Sequence, residues 1–399
     1  MLGQIANTNA QKISQMLATV GVNVFFHTVV GDNLDRIDDV LRTAMGRSDV
    51  VIMTGGLGPT PDDLTREAAA RALGLPLERN HDLEQRIREV FAALGRDMPE
   101  DNLRQADIPA GAVPIEQEGT APGFYLDAPD ALLFALPGVP WEMQGMMTKA
   151  VLPVLRERAG SAVIVSRQIV VVGLGESHTH QAIADIVDGQ SNPTVAFLAS
   201  SGQVRVRLTA RAGDEAGAEA LMAPVEERIR SRLGDAAVPG HHDWVGDALT
   251  QLLLERGLTV AVAESLTGGL LAHQLTLPAG SSKYFKGSVV AYATESKRDV
   301  VGVPGEILRD HGAVSGEAAV ALAEGAVRRF DADLGLATTG VAGPAEQEGK
   351  PVGTIFVAAH FRGESHVRRV RGYGDRDHVK KFAMTAAFDL GRRVVDKDA

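Results

Sequence analysis

Apolar positions recur along this chain at two spacings, and the switching between them outlines the fold. Ile13, Met16, Leu17 and Val20 fall on one helical face that stops at Gly21. VNVFFHTVV then predicts a strand, DRIDDVLRTAMG a helix, and DVVIMTGG a buried strand ending in glycines. Helices are predicted from Asp63 to Leu73 and from His81 to Leu94. LLFALPG follows as another buried strand and WEMQGMMTKAVLPVLRER as another helix. Strands alternating with helices at these lengths predict an α/β sheet with largely parallel strands for residues 1–158.

The pattern changes at about Val163. SRQIVVVG, TVAFLAS and QVRVRLTAR read as strands, ESHTHQAIADIV and AGAEALMAPVEERIRSRL as helices, giving a small α+β domain over residues 163–237. A third domain, 241–399, opens after the PGHHD turn. Its predicted strands are LTVAVA, GSVVAYATE, ADLGLATTG, TIFVAAHF and HVRRVRGYG, the last two paired as a hairpin. The final helix places Val379, Phe382, Ala386, Leu390 and Val394 on one face.

Composition narrows the function classes. At 399 residues the chain is too long for one ordinary core, which agrees with several domains. The net charge of −11 opposes wholesale binding to phosphate backbones, so nucleic acid is not the expected partner. With no cysteine, disulfides, thiolate nucleophiles and Cys-ligated zinc are excluded. No apolar run reaches the roughly 18–20 residues that span a bilayer. The amino terminus lacks a signal-peptide layout, so a soluble, cytoplasmic protein with no membrane partner is expected.

Candidate chemistry concentrates in the third domain. AVAESLTGGLLAH places Glu264 and Ser265 at a strand end, before a helix opening with Thr267, Gly268 and Gly269. Helix amino termini suit a phosphate or a developing oxyanion, and on residue type alone Ser265 reads first as the natural helix cap. In GSVVAYATESK, Tyr292 is predicted on the strand and Lys297 at the start of the next helix. A serine nucleophile needs a base, and a lysine of depressed pKa or a Tyr–Lys pair can serve. Thr339, Gly340, Gly343 and Pro344 form a polar turn at a strand's carboxyl end, where α/β folds place ligands. Gly280, Ser281 and Ser282 offer amides and hydroxyls able to hold a phosphate.

AESLTGG, PAGSS, VVAYATESK, TGVAGP and KPVGT, in that order, resemble the nicotinamide mononucleotide amidohydrolase domain of the competence/damage-inducible (CinA) family. The resemblance covers residues 245–395 and includes the late GDRDHV segment. It implies a catalytic group of Ser265, Tyr292 and Lys297, acting without cofactor on nicotinamide mononucleotide to give nicotinic acid mononucleotide and ammonia. Glu264, Thr267, Gly268, Gly269, Gly280, Ser281, Ser282, Thr339, Gly340 and Gly343 are the expected substrate-binding residues. Ala293 and Thr294 replace the family's usual Ser-Asn, and AEQEG replaces a glycine-rich stretch.

In the first domain, TGGLGPTPDDLTREA carries a glycine loop and adjacent carboxylates, Asp62 and Asp63, at a helix start. Capping is the simple reading of those carboxylates, and a nucleotide cradle with a divalent cation the functional one. With NTNA, GTAPGF and LPGVP, the segment resembles the molybdopterin-binding fold at the amino end of CinA proteins. That resemblance implies metal-dependent hydrolysis of ADP-ribose, with pterin binding as an alternative. Gly55, Gly56, Gly58, Asp63 and Gly138 would form the nucleotide site, and Asp63 and Asp32 would hold the metal. Family members usually carry a strand and a Gly-Thr-Glu turn before LLGQIxNTNA, so the first sheet is expected to expose an edge, and about ten further residues are expected in the native polypeptide. The middle segment resembles the family's KH-like domain without a GxxG clamp. The fold class expected is therefore multidomain α/β: a molybdopterin-binding-like sandwich, a KH-like α+β domain and an α/β amidohydrolase domain, assembled as a homodimer. The rival reading is a competence or DNA-damage accessory protein acting through protein or nucleic-acid contact.

Overall fold

The computed structural model describes residues 6–159 and 163–397. They form two compact units, one up to Val165 with Arg211–Ala218, the other Ser166–Ala210 with Glu219 onward.

In the first unit a sheet runs in the order Val50–Thr54, Leu132–Leu136, Gly123–Asp127, Val113–Ile115. Leu132–Leu136 is buried on both faces. Leu133 and Ala135 join Leu41, Ala68 and Ile87 on one side, while Phe134 and Leu136 join Leu17, Met143 and Met146 on the other. Period-2 alternation in an all-apolar strand thus builds two cores, with helices covering both faces. Only Val50–Thr54 and Leu132–Leu136 pair in parallel; the other neighbours are antiparallel, unlike the largely parallel sheet expected. The short turn between Asp127 and Leu132 leaves no room for a crossover, so those strands must form a hairpin.

VNVFFHTVV is not a strand. Residues 23–30 make no backbone–backbone hydrogen bond among the described residues. Phe25, Phe26 and Val29 are 79%, 53% and 56% exposed. Apolar alternation favours a strand only where a neighbour supplies the ladder, and among the described residues Val50–Thr54 pairs on one side alone.

The second unit holds most of a three-stranded sheet, ordered Val163–Val172, Gln203–Ala212, Thr194–Ser200, with the helix Glu176–Val187 and most of Glu215–Leu233. Its larger sheet is ordered Phe285–Val290, Val260–Glu264, Leu334–Gly340, Thr354–Phe361, Glu364–Arg371. The first three strands are parallel and the last two form the expected hairpin. Val260 and Val262 face one core with Leu249, Leu336 and Phe388, whereas Ala261 and Ala263 face another with Leu322 and Ala326. The parallel trio matters most for function, because it brings the loops after Glu264, Val290 and Gly340 to one end of the sheet.

Candidate active site

Glu264 ends the central strand and is fully buried. Its carboxylate accepts from the amides of Gly269 and Leu271 at 3.0 Å and of Ala272 at 2.9 Å. It therefore caps the helix Leu270–Thr276, whose capping position is Gly269, with φ of 98°. Two expectations change. Glu264 holds the loop rather than substrate, and the helix amino terminus is already satisfied by a carboxylate rather than open to an anion.

Ser265 is thereby released from capping. Its backbone amide donates to Thr338 O at 3.0 Å, which fixes the residue to the neighbouring strand. Its hydroxyl has no hydrogen-bond partner among the described residues. The amides of Leu266 and Thr267 likewise enter no hydrogen bond among the described residues. The Thr267 hydroxyl pairs with Thr338 Oγ1 at 2.7 Å, and the Thr339 hydroxyl donates to Ala313 O at 2.6 Å. Both threonines are fully buried. Gly340 is packed so tightly that a Cβ would lie 2.5 Å from Thr354 O. Thr267, Thr339 and Gly340 are thus scaffold, while Gly268, Gly269 and Gly343 stay partly open at the strand ends.

Lys297 is the largest surprise in burial, at 2% exposed. Its Nζ donates to Ala291 O at 2.9 Å and Tyr292 O at 3.3 Å. Ala291 N in turn donates to Glu264 O at 2.8 Å, so one backbone step links the ammonium to the strand end bearing Ser265. Burial pushes the Lys297 pKa below the ordinary amine range, and the carboxylates of Glu348 and Glu295 oppose it.

Tyr292 lies beyond the strand Phe285–Val290, not on it, and is 58% exposed. Its hydroxyl accepts from Arg376, whose other guanidinium nitrogen donates to Gly343 O at 2.5 Å. Lys297 therefore meets the Tyr292 backbone, and the phenol belongs to the rim, away from the expected Tyr–Lys pair. Arg376 opens the helix Arg376–Asp396, one turn before Lys380, whose Nζ would lie 3.9 Å from a Cβ at Gly268. Sequence reading missed both cations, since only the fold carries residues so distant in sequence to this rim.

Gly280, Ser281 and Ser282 are not part of this cluster. They precede Phe285–Val290, and Tyr284 O accepts from Val260 N at the start of the central strand. Because the two strands are parallel, that loop sits at their amino ends, the length of the sheet away from Ser265.

In the first unit, Gly55 and Gly56 take φ of 96° and 67°, and a Cβ at Gly138 would lie 3.3 Å from Gly55 Cα. Glycine suits the two positive-φ positions, and a side chain at Gly138 would crowd the loop. The loop's carbonyls are drawn inward: Arg66, 1% exposed, donates to Leu57 O at 2.6 Å and Gly58 O at 2.9 Å, and Arg104 donates to Thr60 O at 3.1 Å. The Asp63 carboxylate accepts from Thr60 N at 2.9 Å and from the Thr60 hydroxyl. It closes this turn and does not cap the helix Thr65–Leu73, whose capping residue, Leu64, offers no side-chain bond. Asp32 is exposed. Among the described residues no group of three or more His, Cys, Asp or Glu side chains could hold a metal ion.

Residues 243–395 match the CinA C-terminal domain, 166–238 the CinA KH domain and 1–157 a molybdopterin-binding domain. A CinA-like protein of Frankia casuarinae is 47% identical, covering 99% of this chain and 94% of that protein. The chain belongs to the CinA family. A CinA-like protein of Dictyoglomus turgidum is 41% identical, covering 98% of this chain and 96% of its own. Among solved structures, the competence/damage-inducible protein CihA of Agrobacterium tumefaciens is 35% identical, covering 38% of this chain and 93% of that chain, with a TM-score of 0.36. No helix among the described residues is long and apolar enough to cross a membrane.

Proposed function

We propose that the second unit hydrolyses the carboxamide of nicotinamide mononucleotide to nicotinic acid mononucleotide and ammonia. One observation carries this reading: a serine hydroxyl without an internal partner shares a sheet end with a lysine 2% exposed and held below its ordinary pKa. A desolvated amine that loses its proton readily is the base a serine nucleophile requires.

Ser265 Oγ adds to the carboxamide carbon while its proton passes to the neutral Lys297 amine. The C–N bond then breaks, and the nitrogen leaves as ammonia with that proton. Water adds to the acyl-serine ester, Lys297 takes its proton, and the ester bond breaks to return the Ser265 hydroxyl and release the carboxylic acid. The unengaged amides of Leu266 and Thr267 are candidates to receive the oxyanion. Arg376 and Lys380 face the negative phosphate from the rim.

The test is ammonia release from nicotinamide mononucleotide, compared with nicotinamide riboside, which lacks the phosphate. The reading expects both to react at Ser265, with the riboside far poorer in KM. Equal KM values would remove the phosphate role, and no ammonia from either would remove the reaction.

A further inference from the structure

Ser200 and Gln203 pair directly, so the strands Thr194–Ser200 and Gln203–Ala212 are joined by the two residues Ser201 and Gly202. Both have positive φ, 52° and 86°, the geometry of a tight two-residue hairpin turn. The turn lies against the C-terminal helix. The Thr385 hydroxyl donates to Ser201 O at 2.7 Å, and Thr385 is 1% exposed. A Cβ at Gly202 would lie 2.8 Å from Phe382 Cδ1. Gln203 anchors the hairpin's base, its amide donating to Asp243 O at 3.3 Å and its Oε1 accepting from Val245 N at 3.2 Å.

The same helix carries the rim cations on another side. Arg376 and Lys380 (i, i+4) share one face and Phe382 and Thr385 (i, i+3) another, because Phe382 follows Arg376 by six residues, about 240° round the helix. Phe382 also packs against Tyr373, with ring centroids 4.5 Å apart and ring planes tilted by 59°. Tyr373 belongs to the Gly-Tyr-Gly segment that leads through Asp375, the helix cap, into Arg376. Contacts thus run from Ser201–Gly202 to Phe382 and on to Tyr373, and the chain then leads, three residues on, to Arg376, whose guanidinium touches Tyr292 and Gly343.

We infer that the Ser201–Gly202 turn is a positioning element for the substrate rim: it braces Phe382 and Thr385 so that the first turn of the C-terminal helix presents Arg376. Here the middle domain supports the proposed deamidation site by packing. The kinetic side of this inference rests on the proposed function; the structural side does not. Gly202 suits the task because any side chain there is strained by its φ and collides with an aromatic ring.

Gly202→Val and, separately, Phe382→Leu should be compared with the unaltered full-length protein by hydrogen exchange and steady-state kinetics. Amides of residues 373–381 should exchange several-fold faster in both variants, while those near Asp389 in the same helix keep their protection. KM for nicotinamide mononucleotide should rise about five- to tenfold with kcat nearly unchanged. Unaltered exchange at 373–381 in both variants would overturn the inference whatever the activity. Faster exchange there without any activity in the unaltered protein would uphold the brace and remove the proposed substrate. Faster exchange with an unchanged KM would refute the link between brace and rim.

Discussion

The Lys297 ammonium sits 2.9 Å from the carbonyl oxygen of Ala291, in a pocket that leaves it 2% exposed. A carbonyl neutralises no charge, so burial lowers the Lys297 pKa from its ordinary value, with Glu348 and Glu295 opposing the shift. A base must run in that direction, and a structural ion pair would run in the other.

The pH dependence follows from this. If neutral Lys297 accepts the serine proton, kcat/KM rises as pH climbs through its lowered pKa, which gives an acid limb. Glu348 raises that pKa, so Glu348→Gln should lower it further and move the acid limb to lower pH. A pH–rate profile of the two proteins checks the sign. Ala313 N and Val314 N now donate to different Glu348 oxygens at 3.0 Å, and a Gln amide keeps an acceptor for only one of them, so urea unfolding of the variant should accompany its pH–rate profile.

Ser265→Ala should lower kcat by about three orders of magnitude or more. Because Gly269 rather than Ser265 occupies the helix cap, the variant should lose well under the ~1 kcal/mol typical of a removed cap. Denaturant unfolding beside the ammonia assay separates the two effects.

Glu264→Ala should be among the most damaging substitutions in the second unit. It strands the three amides that the carboxylate now receives, in a fully buried place. A loss of about 3 kcal/mol or more is expected from unsatisfied buried donors. Urea unfolding measures it, and activity should fall with the distortion of the Ser265 loop.

Arg376→Ala should act on binding. The Arg376–Tyr292 contact is exposed, so the melting temperature should hardly change. KM for nicotinamide mononucleotide should rise about tenfold or more, as expected for losing a charged hydrogen bond to phosphate. Kinetics with the phosphate-free riboside should show little change.

Much of this site was legible in the sequence. Ser265 and Lys297 were named, and the apolar periods placed their strands. Tyr292 was named too, but a residue's motif does not say where its hydroxyl goes; Arg376, far along the chain, decides that. Gly280–Ser282 misled because turn chemistry looks alike at both ends of a sheet, and only strand polarity separates them. Residues 22–30 misled for a different reason: their alternation is that of a strand, but a strand exists only with a paired neighbour.

The central claim is tested most directly by incubating the purified protein with nicotinamide mononucleotide in isotopically labelled water and identifying the product by mass. The account predicts nicotinic acid mononucleotide carrying one labelled oxygen, ammonia in equal amount, and neither product from Ser265→Ala. Intact substrate with the unaltered protein, or full activity in the Ser265→Ala variant, would contradict it.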